Sequence, residues 1–504
     1  MRHPPAGGEP IVAVFDLGSN SGRVVVYRGG AGGHLRILGS ARASLRLVRD
    51  LDGEGRLSPE AEERLFTALR DFVAVARGAG AVRMVAVATA AMRDAQNGPA
   101  VIARIGALLR LEVRVLSGDE EARYGFLGAV RSLPVTRGVL FDVGGGSMQV
   151  GRFDARRLVS AVSLPLGSLR LSDAFLASDP PTAGEVRRLR EHVRKLLRAA
   201  GVRPLRGGEE LVGTGGTLRN IAKIDRSAHD YPVRRLHGYV VARARVRDVA
   251  EKVASRRLRK RGAIAGLNED RGDSIVGGSI AIDTLMDVLE AAEVWVSGQG
   301  VREGLAVHLI TGSDHLPEPA VVREASIFAL TRRFDGWDEG RAARRVALAT
   351  DLLRALDSRA PQEMGDALEG AASVLDIGRS VGFFDRHEHA ADVVLATDLD
   401  GFSHRGIALL TAIIRAAGGD DMKPRLYAPL LGREDRAPID RAGVVLALAD
   451  DLEERCLPGR PIEVACELTR SAARVKVPDL LGWRPRTLDL RFERAFSRKL
   501  VIST

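Results

Sequence analysis

Two copies of one short pattern constrain this chain more than any other feature. Residues 15–21 read Phe-Asp-Leu-Gly-Ser-Asn-Ser and residues 141–147 read Phe-Asp-Val-Gly-Gly-Gly-Ser. Each copy ends one apolar run (IVAVFDL, VLFDV) and is followed by another (GRVVVYR, MQVGRF). Apolar runs on either side of a short polar, glycine-rich turn read as paired strands. Asp-x-Gly alone is common in turns. The matched strand–turn–strand setting, repeated about one domain length later, marks an internal duplication. Each half therefore starts with a hairpin, unlike a plain dinucleotide-binding unit, whose first strand runs into a helix.

The rest of the chain fills in an α/β order. A third strand is expected near His34–Ser40, then a helix opened by Ser58-Pro59, with Leu65, Leu69, Phe72, Val73 and Ala76 on one side. A strand at Val82–Ala88, a helix near Ala100–Leu109, a strand at Glu112–Leu116 and a helix from Asp119 complete the first half. In the second, Val186, Leu189, Val193, Leu196 and Leu197 have helical spacing. Strands at Glu210–Val212 and Glu293–Ser297 lead into glycine-rich turns. Beyond Pro317 the pattern is helical to about Leu457, and residues 462–503 alternate like strands, as in Thr487–Phe492.

Composition bounds the function class. The 504 residues are 45% hydrophobic and 28% charged, which is globular and points to several domains. The formal net charge of +10 favours anionic partners, although solubility alone explains it equally well. Two cysteines, Cys456 and Cys466, exclude a disulfide scaffold and suit a reducing cytoplasm. No apolar stretch is long enough to span a membrane, and MRHPPAGGEP lacks the apolar core of a signal peptide, so residues 1–10 are expected to be a disordered leader.

The repeated turns carry the chemistry. Glycines let backbone N–H groups approach a ligand closely, and Ser19, Asn20, Ser21 and Ser147 add short donors, a set suited to phosphate oxygens. The leading Asp16 and Asp142 repel phosphate, so they are better placed to hold Mg²⁺ or to position water. Gly213–Thr217 is a third glycine-rich turn, opening a helix whose N-terminus attracts anions. Arg93 follows a strand end, where its guanidinium can fork onto phosphate. Asp119, Glu120 and Glu121 crowd a helix start; acids there complement the dipole, and one of them can serve as a general base. The basic stretches Arg187–Arg198 and Arg256–Arg261 suit a polyanion, but no interleaved aromatics or finger motif support nucleic acid.

With these residues in view the chain resembles the exopolyphosphatase/guanosine pentaphosphate phosphatase family. The matching segments run in family order: DLGSNSGRVVVYR, ATAAMRDAQN, SGDEEARYGFLG, FDVGGGSMQVG, LPLGSLRL, GTGGTLRNIAKID, LHGY, RGDSIVGGSIAI and SGQGVREGL. The resemblance implies two ribonuclease-H-like domains of the actin/Hsp70/sugar-kinase superfold, at 11–135 and 136–315. A helical HD-like domain would follow at 316–458, and a small α+β domain at 459–504. It implies hydrolysis of a terminal phosphoanhydride of inorganic polyphosphate, or of pppGpp, assisted by Mg²⁺ or Mn²⁺, in a homodimer; the residues themselves point to the cytoplasm and to no nucleic-acid or membrane partner. Carried over by position, it puts Asp16 and Asp142 at the metal. It puts Ser19, Asn20, Arg93, Gly144, Gly145 and Ser147 at the phosphate, and the reading of the turns themselves adds Gly18, Ser21, Gly146, Gln149, Gly215, Gly216 and Thr217 as phosphate-binding candidates. Glu120 is then the catalytic base, with Glu121 as the fallback.

Two departures from the family pattern stand out. The second turn continues Ser147-Met148-Gln149 where the family has Ser-Thr-Glu, and Gln149 lacks the carboxylate that would help with metal or water. Where an HD site would have His-Asp, the chain has Leu375-Asp376, and the upstream position near Ala342 is not His. The HD-like part is therefore expected to be structural or substrate-guiding, although His387, His389 and His404 remain nearby in sequence. These departures also motivate a non-catalytic phosphate or nucleotide sensor as the alternative from another class, with a sugar or acetate kinase on the same superfold behind it.

Overall fold

The computed structural model describes residues 9–18, 21–30, 33–45, 47, 55–88, 92–93, 95–420, 424–455, 457, 462–478, 480 and 487–503. Residues 1–8 of the expected leader, together with Ser19, Asn20 and Cys456, lie outside them. The chain divides into two compact units, Met1–His229 with Leu236–Ala325, and Asp230–Arg235 with Ser326–Thr504. Among the described residues no helix is long and apolar enough to cross a membrane.

The first unit holds two sheets of the same plan. Strands β1 (Ile11–Leu17), β2 (Ser21–Gly29), β3 (Leu35–Ser44), β4 (Arg83–Ala88) and β5 (Glu112–Val115) lie in the order β3-β2-β1-β4-β5. Strands β6 (Gly138–Val143), β7 (Met148–Asp154), β8 (Arg157–Leu164), β9 (Glu210–Thr214), β10 (Tyr239–Ala242) and β11 (Glu293–Val296) lie in the order β10-β11-β9-β6-β7-β8. In each sheet the first strand pairs antiparallel with the second and parallel with the fourth. This is the ribonuclease-H-like arrangement, made twice. Even the register repeats: Asp16 sits opposite Arg23, and Asp142 opposite Gln149.

β1 is apolar from Ile11 to Phe15 because both its faces are covered there. Ala13, Phe15 and Leu17 join one core with Leu65, Leu69 and Phe72 of the helix Pro59–Gly78. Val12 and Val14 join the other with Tyr124, Leu127 and Val130 of the helix Gly118–Arg131. The Ser58 hydroxyl caps the first of these helices by accepting from the Ala61 N–H at 3.2 Å. The second crosses the helix Val301–Thr311 at glycines. A Cβ on Gly304 would lie 1.8 Å from the Tyr124 carbonyl oxygen, and one on Gly128 only 1.9 Å from that of Gly300. No larger residue fits at this crossing without parting the helices.

The second unit is helical, with a three-stranded sheet of β12 (Ala465–Leu468), β13 (Ala472–Lys476) and β14 (Lys499–Ser503). Residues 459–504, read from the sequence as a small domain of their own, contribute Ala473, Val475, Phe492 and Phe496 to the same core as Leu410, Ile413 and Val445. The strand expected at Thr487–Phe492 is a helix, Leu488–Phe496. Leu488, Phe492 and Phe496 are buried four residues apart, while the intervening Leu490 is 65% exposed.

At the expected HD position the unit carries a buried ion-pair network. Asp376 and Asp450 both bind Arg345, each at 2.7 Å, and Arg345 is fully buried. Arg379 reaches Asp376 and Arg386 reaches Asp450, each at 2.6 Å. Arg341 and Arg344 take Glu453 at 2.7 and 2.6 Å. Against the effect of burial, Arg345 and Arg386 hold the Asp450 carboxyl below the usual carboxylate range.

Candidate active site

The two repeated turns are closed by the same backbone hydrogen bond. The Gly18 N–H donates to the Ser21 carbonyl at 3.2 Å, and the Gly144 N–H to the Ser147 carbonyl at 3.0 Å. Both turns line one cleft of about 230 Å³, together with Asp16, Glu121, Asp142, Gln149 and the third turn at Thr214–Gly216. Gly18, Ser21, Gly144, Gly145, Gly146, Ser147, Gly215 and Gly216 all contribute to its wall. The helix Ser168–Phe175 takes up acceptors of the second turn. Its Ser168 and Leu169 N–H groups donate to the Gly144 and Gly145 carbonyls at 2.9 and 3.0 Å. Tying up carbonyls in this way suits a turn that must receive an anion. Gly215 has φ +98, and a Cβ there would lie 2.6 Å from the Val143 carbonyl and 2.8 Å from Asp142 Oδ1. Only glycine allows the third turn to press against the second.

Glu120 does not face this cleft. It closes a capping box: its carboxylate accepts from the Ser117 N–H at 2.9 Å, while its own N–H donates to Ser117 Oγ at 3.2 Å. The side chain is exposed, and one of its oxygens is engaged at the helix end. Glu121, one residue on, is 8% exposed and lines the cleft. Its Oε1 lies 3.3 Å from Arg93 Nη1 and its Oε2 lies 3.0 Å from Gln149 Nε2. Burial pushes its carboxyl up to about 7; Arg93 opposes the rise, and Asp142 and Asp16 add to it.

Gln149, 7% exposed, also sets its Nε2 2.9 Å from Ser147 Oγ and 3.1 Å from Ser163 Oγ. It thus ties the end of the second turn to Glu121. Arg93 donates at 2.7 Å to the Leu116 carbonyl, so this guanidinium braces Glu121 from the strand end and does not line the cleft. Thr217 is also off the wall. It is 1% exposed and packs beneath the turn against Gly278.

Asp16 and Asp142 end β1 and β6 at the cleft. Burial raises both carboxyls, Asp142 to about 6, and like charge adds to each: Glu303 on Asp16, and Asp16 on Asp142. Arg302 stands 3.6 Å from Asp16 Oδ2 and 3.7 Å from Glu303 Oε1. Glu303 in turn accepts from the Tyr27 hydroxyl at 2.6 Å and the Gly300 N–H at 2.7 Å. Against burial, Arg302 and these donors hold the Glu303 carboxyl below its ordinary value. Arg219 and Arg271 also line the cleft, and among the described residues neither has an acidic partner within ion-pair distance. Burial, helped by the nearby Arg302, lowers the Arg219 guanidinium to about 10, so it still carries its charge at neutral pH.

Arg219, Arg271, Arg302 and Glu303 were not singled out from the sequence. Arg219 and Arg302 each stand in the first turn of a helix that follows a glycine-rich bend, GTGGTLRN and SGQGVREG. An arginine at that position is the signal that would have found them.

Comparison with known proteins places this architecture. The model of the Ppx/GppA phosphatase family matches residues 25–312, and that of Ppx/GppA phosphatase, domain III, matches residues 322–455. Exopolyphosphatase 1 of Mycobacterium tuberculosis is 28% identical over 336 residues, 66% of this chain and 97% of that protein. Exopolyphosphatase 2 of the same organism is 32% identical over 313 residues, 59% of this chain and 98% of that protein. The crystal structure of the Aquifex aeolicus family member aligns with a TM-score of 0.55 at 27% identity, covering 61% of this chain and 99% of that one. With both family models matched in order along the chain, this protein belongs to the Ppx/GppA phosphatase family.

Proposed function

We propose that the protein is an exopolyphosphatase that hydrolyses the terminal phosphoanhydride of inorganic polyphosphate, with Glu121 as the general base. One observation carries this reading. A carboxyl raised to about 7 sits in a cleft that is also lined by Arg219, Arg271 and two glycine turns. A base whose pKa lies near working pH is ionised often enough to act and basic enough to take a proton. The terminal phosphate is received by the turns at Gly18–Ser21 and Gly144–Ser147 and by Arg219 and Arg271. Glu121 accepts a proton from water as the water oxygen bonds to the terminal phosphorus. The bridging P–O bond breaks, and orthophosphate leaves together with a polyphosphate shortened by one unit. Arg93 and Gln149 keep the carboxylate aimed throughout, so positioning and charge stabilisation supply the acceleration.

Asp16 and Asp142 fit a divalent cation. They are partly covered oxygen donors raised by burial, which a cation would relieve. Among the described residues no three acidic, His or Cys side chains form a cage, which suits Mg²⁺ or Mn²⁺ completed by water and phosphate oxygens. Such an ion supplies charge neutralisation for the anionic substrate. The same reading has the enzyme act in the cytoplasm, as a homodimer.

The deciding experiment compares phosphate release from long-chain polyphosphate and from pppGpp, with Mg²⁺ and with Mn²⁺. Faster release from polyphosphate is expected. Preference for pppGpp would move the activity to the guanosine pentaphosphate branch, and tight polyphosphate binding without turnover in either metal would make the protein a sensor.

A further inference from the structure

The LHGY motif places a buried histidine behind the cleft, where the catalytic scheme above does not use it. His237 is 8% exposed, and its ring lies between the two places where the chain passes from one sheet system to the other. One is Ser132, the residue that ends the helix Gly118–Arg131. The other is Ser297–Gly300, which leads from β11 into the helix Val301–Thr311.

The hydrogen bonds fix the tautomer. The Gly298 N–H can only donate, and it lies 3.2 Å from His237 Nδ1, so that nitrogen is the acceptor. Nε2 therefore carries the proton and donates to Ser132 Oγ at 2.9 Å. The Ser132 hydroxyl passes the chain on to Gln299 Oε1, also at 2.9 Å. The Gln299 backbone is held as well: its carbonyl accepts from Thr214 Oγ1 at 2.7 Å and from Ser297 Oγ at 3.0 Å. Gly298 is pressed so close that a Cβ would lie 3.2 Å from that of His237.

Both ends of this network reach the cleft. The helix that Ser132 terminates carries Glu121 in its first turns. The segment that Gln299 anchors continues directly into Gly300, Val301, Arg302 and Glu303, all of which line the cleft. We propose that His237 is a positioning residue: through Ser132 and Gln299 it locks the two chain crossings together and so fixes Arg302 and its partner Asp16 relative to Glu121. This rests on the exopolyphosphatase reading for its kinetic consequence, but not for its structural one.

The test uses three variants of the full chain. His237→Phe keeps a ring and removes both nitrogens, Ser132→Ala removes only the relay, and His237→Asn keeps an acceptor near the place of Nδ1. In His237→Phe and Ser132→Ala, kcat for polyphosphate should fall on the order of tenfold or more, because misplaced reacting groups cost rate. KM should hold, because Arg302 is engaged with Asp16 and Glu303, and Arg219 and Arg271 are untouched. His237→Asn should recover part of the loss. Hydrogen exchange at the amides of Gln299, Val301 and Arg302 should quicken in the two disruptive variants. Normal kcat in thermally folded His237→Phe and Ser132→Ala would overturn the proposal, and so would unchanged exchange at those amides. A wild-type chain without phosphate release would refute the exopolyphosphatase reading alone, since the exchange experiment judges the lock independently.

Discussion

The cleft of the first unit and the buried network of the second both gather carboxylates, and they treat them in opposite ways. In the network each acid has a guanidinium within about salt-bridge contact: Arg345 and Arg379 on Asp376, Arg345 and Arg386 on Asp450, Arg341 and Arg344 on Glu453. Asp450 is held ionised. In the cleft Glu121 has a single guanidinium at 3.3 Å, Asp142 has none within ion-pair distance among the described residues, and both carboxyls rise, to about 7 and about 6. Unpaired charge in a covered site is costly and persists where a ligand completes it. The network is already complete, with Arg345 standing between two aspartates. On the proposed function, phosphate and a cation would finish the cleft.

Four substitutions would break or sharpen that contrast. The largest effect is expected from Glu121→Gln, which should lower kcat by about 10²–10⁴ while the protein stays folded. The folded pKa of Glu121 is raised above its unfolded value of 4.5. Between those values the native state binds more protons, so this group's contribution to stability falls as pH rises from about 4.5 through about 7. Glu121→Gln should therefore lack that loss, and thermal melts at pH 5 and pH 8 check it. Next, Arg345→Ala should cost about 3–5 kcal/mol in the unfolding of the second unit, because it strands two buried aspartates. Elemental analysis of the wild-type protein should find no ion held at Asp376. Arg219→Ala should lower kcat/KM by roughly 10²-fold with little change in melting temperature, since among the described residues no acid forms an ion pair with it that the substitution would strand. The smallest effect belongs to Glu120→Gln: about 1 kcal/mol or less from a weakened capping box, with kcat unchanged.

The sequence made the doubled sheet plan readable because apolar runs and glycine turns are local signals, and the turns repeat. It misled where two periods coincide. Leu488, Leu490 and Phe492 alternate like a strand, yet Leu488, Phe492 and Phe496 also fall on one helical face, and only tertiary burial chooses between them. Glu120 and Glu121 are neighbours whose roles diverge because a helix turns about 100° per residue. Ser117-Gly118-Asp119-Glu120 is a capping-box spacing, so the structural use of Glu120 was legible in the chain itself. By contrast, nothing local pairs Arg345 with Asp450, or brings Arg219 and Arg302 to the two aspartate turns. Those contacts are set by packing over long separations. The departure at Gln149 was legible, but its contact with Glu121 was not, because it depends on how β7 faces the helix Gly118–Arg131.

The central claim is that Glu121, poised near neutrality in the cleft, takes the proton from water. The pH dependence of kcat/KM for polyphosphate tests it most directly, measured from pH 5 to pH 9 on the wild-type chain and on Glu121→Gln. The wild-type rate should climb through about pH 7 as Glu121 ionises, and the residual Glu121→Gln rate should lack this limb. The same limb in both proteins would contradict the claim.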